Sequence, residues 1–190
     1  MDTLVASKPR RLTYQDLLAM PEDGKRHELV NGVHYVSRAP RLRHQVVLAN
    51  LYRVLDRFVR ETRVGNLYFA PVDVVLSQID VLEPDLLFVA RERTAILTEA
   101  CVQGAPDLAV EVLSPGTRRR DATVKLRAYR KFGVAEYWMI DPDRETVAAH
   151  RGPWLSLALD LSRHPPSGGD GALTCPLFPG LTVTLDEIFE

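Results

Sequence analysis

Hydrophobic residues recur along this chain with two different spacings, which predict a mixture of helices and strands. From His44 to Glu61 the apolar residues return every three or four positions, with charged residues between them, as in a long amphipathic helix. The segment "RDATVKLRAYRKFG" has the same helical spacing, and its Gly133 is the expected stop. Near the N-terminus, Thr13 is the predicted N-cap of a short first helix that ends before Gly24.

Shorter runs of β-branched and aromatic residues predict strands. Asn31-Gly32 in "HELVNGVHYV" marks a tight hairpin between two strands. The runs "NLYFAPVDVVL" and "VLEPDLLFVA" are predicted to form a second antiparallel pair. Both "PDLAVEVL" and "EYWMID" are almost continuously apolar, as buried strands are, and we expect the first to be central. A strand and a turn of helix are predicted in "GLTVTLDEIFE", and an exposed, mobile loop from Arg163 to Gly171.

Loose alternation of helices and strands predicts a mixed α/β or α+β fold with a central sheet. The 190 residues, 46% of them hydrophobic, fit a single domain over 1–190 with a substantial core. Twenty-four basic residues against 25 acidic ones predict no polyanionic partner from net charge alone. We find no secretory or membrane-spanning run, so we expect a cytoplasmic protein without a membrane partner. Cys101 and Cys175 lack metal-ligand spacing and are interpreted as packing residues.

Acidic residues interrupt two of the predicted buried strands. Side chains alternate across a strand, so in "PDLAVEVL" Asp107 and Glu111 share one face, opposite the larger apolar set. In "EPDLLFVA" the same alternation places Glu83 and Asp85 on one face. An unpaired buried carboxylate is costly to desolvate, so these acids require positively charged partners.

Two kinds of partner are open at this point. Each acid could pair with a base, as Glu111 could with Arg118 or Lys125. Alternatively, one divalent cation could neutralise several acids together. Hard cations such as Mg²⁺ need only one or two carboxylates plus water and phosphate oxygens, so two acids on neighbouring strands would suffice.

Five blocks follow one another in order: "HELVNG", "PDLLFV", "PDLAVEVLSP", Lys125 with Tyr129, and "FGVAEYWMID". Together they resemble the Uma-type family of endonucleases, within the PD-(D/E)XK restriction-endonuclease-like superfamily. The likeness runs from about Leu12 to Arg151 and returns in "LFPGLTVTLDEIF". It implies a restriction-endonuclease-like fold in which a central mixed sheet is flanked by helices.

The resemblance also implies an activity, that of a hydrolase cleaving phosphodiester bonds of DNA with Mg²⁺, or with Mn²⁺ in its place; RNA is the open alternative as substrate. By position, Asp85 and Glu111 resemble the two metal-binding acids. The superfamily lysine normally lies two residues after the second acid, where this chain has Leu113, so Lys125 on the following helix is the candidate for its role. Glu28 resembles a further acid that some relatives contribute to the site.

Basic segments could supply contacts to nucleic acid. Residues 116–133 contain seven Lys or Arg against one acid, and residues 38–63 contain seven Arg against two acids. Such segments can neutralise phosphates, although they also fit solvated helix faces. Tyr129 could instead orient Lys125 or pack beside Phe132, and a lone histidine such as His44 is often a cap. The candidates for nucleic-acid contact are Arg118, Arg119, Arg120, Tyr129 and His44.

Two functions are consistent with these features. The first is a Mg²⁺-dependent DNA endonuclease, which would suit a homodimer because one small domain would cut each strand of a duplex. The second is a non-catalytic nucleic-acid-binding or assembly protein that retains the nuclease fold. Leu113 at the motif position favours the second function, whereas the trio of Asp85, Glu111 and Lys125 favours the first.

Overall fold

The computed structural model describes residues 10–152, 157–163 and 171–190. Its helices follow the predicted positions. Thr13 caps the first of them through a reciprocal capping box with Asp16, and Gly133 ends the fourth in a left-handed conformation with φ 78°. The helices are α1 Tyr14–Leu18, α2 Leu42–Thr62, α3 Arg118–Arg120, α4 Leu126–Phe132 and α5 Leu185–Phe189, with a 3-10 helix at Arg91–Ile96 and a π-helical segment at Asp121–Lys125.

The described residues form three sheets. The strands are β1 Arg26–Val30, β2 Val33–Ser37, β3 Gly65–Phe69, β4 Val74–Ser77, β5 Asp80–Leu82, β6 Leu86–Ala90, β7 Val102–Gln103, β8 Leu108–Val112, β9 Glu136–Asp141, β10 Thr146–Arg151, β11 Leu157–Ser162, β12 Ala172–Thr174 and β13 Thr182–Thr184. The larger sheet has the order β11-β10-β9-β8-β6-β3, a second sheet has the order β2-β1-β5-β4-β7, and β12 pairs with β13. Both larger sheets mix parallel and antiparallel pairs. The expected mixed α+β fold is therefore confirmed.

Strand β8 is central in the larger sheet, between β6 and β9, as its continuous apolar run predicts. One face packs against α2, whose Val47, Leu51 and Leu55 are fully buried. The opposite face packs against α4 through Ala128 and Tyr129. Because both faces are covered, an acid on β8 has no route to bulk water except at the end of the strand.

The strand predictions are confirmed, and the structure divides two of the predicted runs further. The hairpin at Asn31-Gly32 forms, with both residues at positive φ. The two runs expected to form a second antiparallel pair do pair antiparallel, but as two pairs in different sheets, β3 with β6 and β4 with β5. Each of the two runs contains a proline, Pro71 or Pro84, which has no N–H to donate to a strand ladder. Each run therefore breaks there into two strands.

Two further expectations concern the periphery. Most of the loop predicted from Arg163 to Gly171, residues 164–170, lies outside the described residues. Arg163 itself is not fully exposed, and its guanidinium binds Asp186 at 2.6 Å. Among the helices that the structure describes, none combines the length and the apolar character needed to cross a bilayer.

Close packing at Gly65 provides a test of the β3–β6 pairing. A Cβ atom added there would lie 2.3 Å from the Val89 carbonyl oxygen and 2.6 Å from the Phe88 ring. We expect Gly65→Ala to lower the free energy of unfolding by about 2 kcal/mol, because backbone has to move to admit the methyl group. Gly116→Ala, where the added Cβ meets nothing within 4 Å, is the control. Equal urea midpoints for the two variants would contradict the pairing.

Candidate active site

The two acids proposed from the motif come from neighbouring strands. Asp85 immediately precedes β6 and Glu111 lies within β8, and these strands are antiparallel with Leu86 opposite Val110. The backbone N–H of Val112 donates to Asp85 Oδ2 at 2.8 Å, so the Asp85 carboxylate lies against the β8 backbone. Both acids line a single cleft. The structure thus brings Asp85 and Glu111 together.

The cleft has a volume of about 480 Å³, and arginines lie at its mouth. Its walls are the end of β2 with the following loop, the start of α2, the loop after β8, and the π-helical segment. Arg38 and Arg41 lie at its exposed rim, whereas the acids lie at its base. An anionic ligand entering this cleft would meet arginines first and carboxylates last.

Lys125 is buried at the base of the cleft, with 1% of its side chain exposed. Its Nζ lies 2.7 Å from Glu28 Oε1, 2.7 Å from Glu111 Oε1 and 3.8 Å from Asp121 Oδ1. Burial lowers the pKa of Lys125, but the three carboxylates outweigh burial and raise it above its ordinary value. The lysine is therefore a charged ammonium held among three acids.

Leu113, at the position where the superfamily lysine is usual, packs in an apolar cluster with Ala128 and Tyr129. The lysine reaches the site from the π-helical segment instead. Lys125 is the last residue of that segment, and Tyr129 follows on α4 with its hydroxyl donating to Glu111 Oε1 at 3.2 Å. Local π-helical turns are frequent at functional sites.

Glu28 enters the site from the second sheet, on β1. Its Oε1 accepts a hydrogen bond from the Glu83 backbone N–H at 3.0 Å, and its Oε2 lies 3.2 Å from an Arg120 nitrogen. The same Oε2 is buried and has no hydrogen bond of good geometry among the described residues. The site therefore forms where the two larger sheets meet.

The two motif acids differ in their ionisation. Burial raises the pKa of Asp85, but a hydrogen bond from His44 and the charge of Arg26 outweigh it and lower that pKa to about 2. Burial raises the pKa of Glu111 well above its usual range. The charge of Lys125 opposes this rise, and the neighbouring carboxylates add to it. Asp85 is therefore ionised at neutral pH, and Glu111 is the acid whose charge is costly.

The five residues predicted to contact nucleic acid lie in different environments. Arg118 is bound to the Asp141 carboxylate through its Nη1 and Nη2 atoms. Arg120 donates to the Ser37 hydroxyl at 2.6 Å and also contacts Glu28. Arg119 is exposed. Tyr129 is fully buried and its hydroxyl donates to Glu111, so it has no exposed surface for a phosphate contact. His44 is 7% exposed and lies 3.1 Å from Asp85.

Sequence reasoning missed two residues of the site, Arg26 and Asp121. The Nη1 atom of Arg26 lies 2.8 Å from Asp85 Oδ1. Each had a signal in the sequence: Arg26 lies two residues before Glu28 and so on the same strand face, and Asp121 lies four residues before Lys125. The second Pro-Asp aspartate, Asp107, does not line the cleft and is not part of the site. It forms an ion pair with Arg93 at 2.7 Å.

Comparisons with known proteins agree with this geometry. A family model described as "Uma2: Putative restriction endonuclease" matches residues 14–186. No curated protein matches the chain. A crystal structure of "a putative nuclease belonging to DUF820 from Anabaena variabilis ATCC 29413" has a TM-score of 0.78 and 20% sequence identity. The match covers 94% of this chain and 97% of that one, so the two share a fold.

Glu83, beside the site, makes stability depend on pH. Burial raises its pKa to about 7, against the smaller opposing effect of Arg26. Because the ordinary pKa of glutamate is about 4.3, the folded state retains a proton that the unfolded state releases between about pH 4 and 7. The stabilising contribution of protonated Glu83 is thus present at low pH and is lost as the pH rises to about 7.

We expect Glu83→Gln, which removes this titration, to gain stability relative to wild type as the pH rises. Urea unfolding at pH of about 4, 6 and 8 measures the difference in free energy of unfolding. Glu22→Gln, at an exposed position, is the control, and the Glu83→Gln difference should change with pH by more than the Glu22→Gln difference does. A Glu83→Gln difference that is constant over the same range would contradict the buried, protonated glutamate.

Proposed function

This chain belongs to the Uma2 family, and we propose that it is a metal-dependent endonuclease that hydrolyses phosphodiester bonds of DNA. Membership supports a nuclease function and a nucleic-acid substrate in general. The observation that carries the more specific proposal is the convergence of Asp85, Glu111 and Lys125 at the base of one cleft with arginines at its rim. Cytoplasmic location and a homodimer stay predictions.

A divalent cation fits the donors present at the base of the cleft. Carboxylate oxygens are the hard ligands that Mg²⁺ prefers, and Glu28 Oε2 is a buried oxygen without a hydrogen-bond partner among the described residues. Within the described part of the chain, no three His, Cys, Asp or Glu side chains are grouped to hold a metal. Asp85 and Glu111 would therefore hold Mg²⁺ or Mn²⁺ as a pair, with water and phosphate oxygens completing the coordination. When bound, the ion supplies Lewis acidity and an activated water.

The protein's own side chains supply charge and position. Lys125, charged and fixed by Glu28 and Glu111, places an ammonium at the base of the cleft, where it would stabilise charge that develops on a phosphate in the transition state. Arg38 and Arg41 at the rim would bind the phosphate backbone without reading sequence. The Tyr129 hydroxyl donates a hydrogen bond to the Glu111 carboxylate and so holds it in position.

One observation favours the non-catalytic alternative. Both acids already have basic partners in the fold, Asp85 in Arg26 and Glu111 in Lys125, so the cluster can be stable without any metal. A protein that only binds nucleic acid could retain such ion pairs for stability. Cleavage assays distinguish the two functions directly.

We expect Asp85→Asn and Glu111→Gln to reduce Mg²⁺-dependent nicking of supercoiled DNA at least about a hundredfold, because each removes a charged metal ligand while keeping the shape of the side chain. The assay compares Mg²⁺, Mn²⁺ and EDTA on supercoiled plasmid and on single-stranded DNA and RNA. Circular dichroism and urea unfolding establish that each variant is folded.

Asp107→Asn is the matched control, since it alters a buried, arginine-paired aspartate of the same sheet that lies outside the cleft. We expect Asp107→Asn to lower the free energy of unfolding and to leave the nicking of supercoiled DNA unchanged. If wild type binds DNA in a salt-dependent manner but cuts with neither metal, and Asp85→Asn binds equally well, the protein is the non-catalytic alternative.

A further inference from the structure

Both oxygens of the Asp85 carboxylate are engaged in the structure. Oδ1 accepts from Arg26 Nη1 at 2.8 Å, and Oδ2 accepts from the Val112 backbone N–H at 2.8 Å and lies 3.1 Å from His44 Nε2. Arg26 also donates to the Glu83 carbonyl oxygen at 3.2 Å, and its Nε lies 3.8 Å from Glu83 Oε2. The guanidinium therefore bridges the Asp85 carboxylate and the backbone just before it.

Arg26 is more exposed than the other bases that contact the acids of the site. Lys125 is 1% exposed and is surrounded by three acids, and Arg120 is 14% exposed and is tied to Ser37 and Glu28. The Arg26 side chain is 23% exposed and lines the cleft. It can turn from Asp85 toward the solvent of the cleft without leaving a buried cation behind.

We propose that Arg26 is the counter-cation of Asp85 in the metal-free protein, and that a divalent cation and the Arg26 guanidinium compete for that carboxylate. The inference rests on the proposed metal-dependent function and concerns the regulation of the same site. A dication bound at Asp85 would repel the adjacent guanidinium strongly in this poorly solvated environment. Binding of the ion therefore requires Arg26 to turn away.

Displacement gives Arg26 a second use. A released guanidinium faces the cleft, where its planar donors match the oxygens of a phosphate group. Metal and an anionic substrate would then favour each other's binding, because the arginine that the metal displaces from Asp85 becomes available to the substrate. Arg26 thereby neutralises Asp85 when no metal is bound and donates to a substrate phosphate when metal is bound.

The test measures Mn²⁺ affinity directly, by electron paramagnetic resonance of free Mn²⁺ and by titration calorimetry, without any substrate. We expect Arg26→Gln to bind Mn²⁺ roughly tenfold more tightly than wild type, the scale on which groups beside metal ligands alter affinity. Arg26→Lys, which keeps the charge but loses the Nη1 atom that donates to both Asp85 and the Glu83 carbonyl, should have a Mn²⁺ affinity between those of wild type and Arg26→Gln. If Arg26→Gln does not fold, the Mn²⁺ affinity of Arg26→Lys provides the test instead.

Arg38→Gln is the matched control, because Arg38 lines the same cleft and is exposed at its rim. It removes the same unit of charge without touching Asp85 and should leave the Mn²⁺ affinity within about twofold of wild type. Thermal unfolding gives an independent readout: Mn²⁺ at a fixed concentration should raise the melting temperature more in Arg26→Gln than in wild type, since binding stabilises by mass action.

The outcomes separate this inference from the proposed function. If Arg26→Gln and Arg38→Gln increased the Mn²⁺ affinity equally, the effect would be one of long-range charge only, and the proposed competition would be overturned. Weaker Mn²⁺ binding in Arg26→Gln would overturn it too, because Arg26 would then help to build the site. If wild type cuts DNA with Mg²⁺ but Arg26→Gln binds Mn²⁺ as wild type does, the inference fails and the nuclease function stands. If wild type binds no Mn²⁺, the metal-dependent function fails and the inference fails with it.

Discussion

A carboxylate buried in a β-sheet has to be compensated by positive charge, and the arrangement around the cleft depends on that requirement. Asp85 and Glu111 are almost fully buried at the base of the cleft, where little water can solvate their charge. The bases that compensate them come from other elements, Arg26 from β1 and Lys125 from the π-helical segment. Removing a base would leave a buried charge unpaired, which costs about 3–5 kcal/mol in other proteins. Ion pairs thus hold β1 and the helix to the sheet.

The same compensation determines where chemistry could occur. The apolar face of β8 packs on α2, whereas the acidic face ends in a cleft between the two larger sheets. Glu28 belongs to the smaller of these sheets and Glu111 to the larger, and both contact Lys125. Lys125 thus links the two sheets, because moving either sheet would separate opposite charges. Arg26 also links β1 to Asp85, but its side chain is 23% exposed and reaches the solvent of the cleft.

Membership of the Uma2 family accounts for the order of the blocks, and the structure accounts for the departure at Leu113. An apolar cluster with Ala128 and Tyr129 occupies that position, so a lysine there would be buried among hydrocarbon. Lys125 reaches Glu111 from the opposite wall at 2.7 Å, and Glu28 balances it from β1. The charge is thus provided from a helix that can place it without disturbing the core.

The sequence by itself determined the local elements and, through its resemblance, pointed to Asp85, Glu111, Lys125 and Glu28 as site residues. The Thr13 capping box and the hairpin at Asn31-Gly32 were predictable because their contacts lie within a few residues. Only the tertiary structure decided that Arg26, 59 residues from Asp85, is its partner. The register of two antiparallel strands places Asp85 at the Glu111 end and Asp107 at the other. Ion pairing depends on distance in space, which spacing along the chain does not contain.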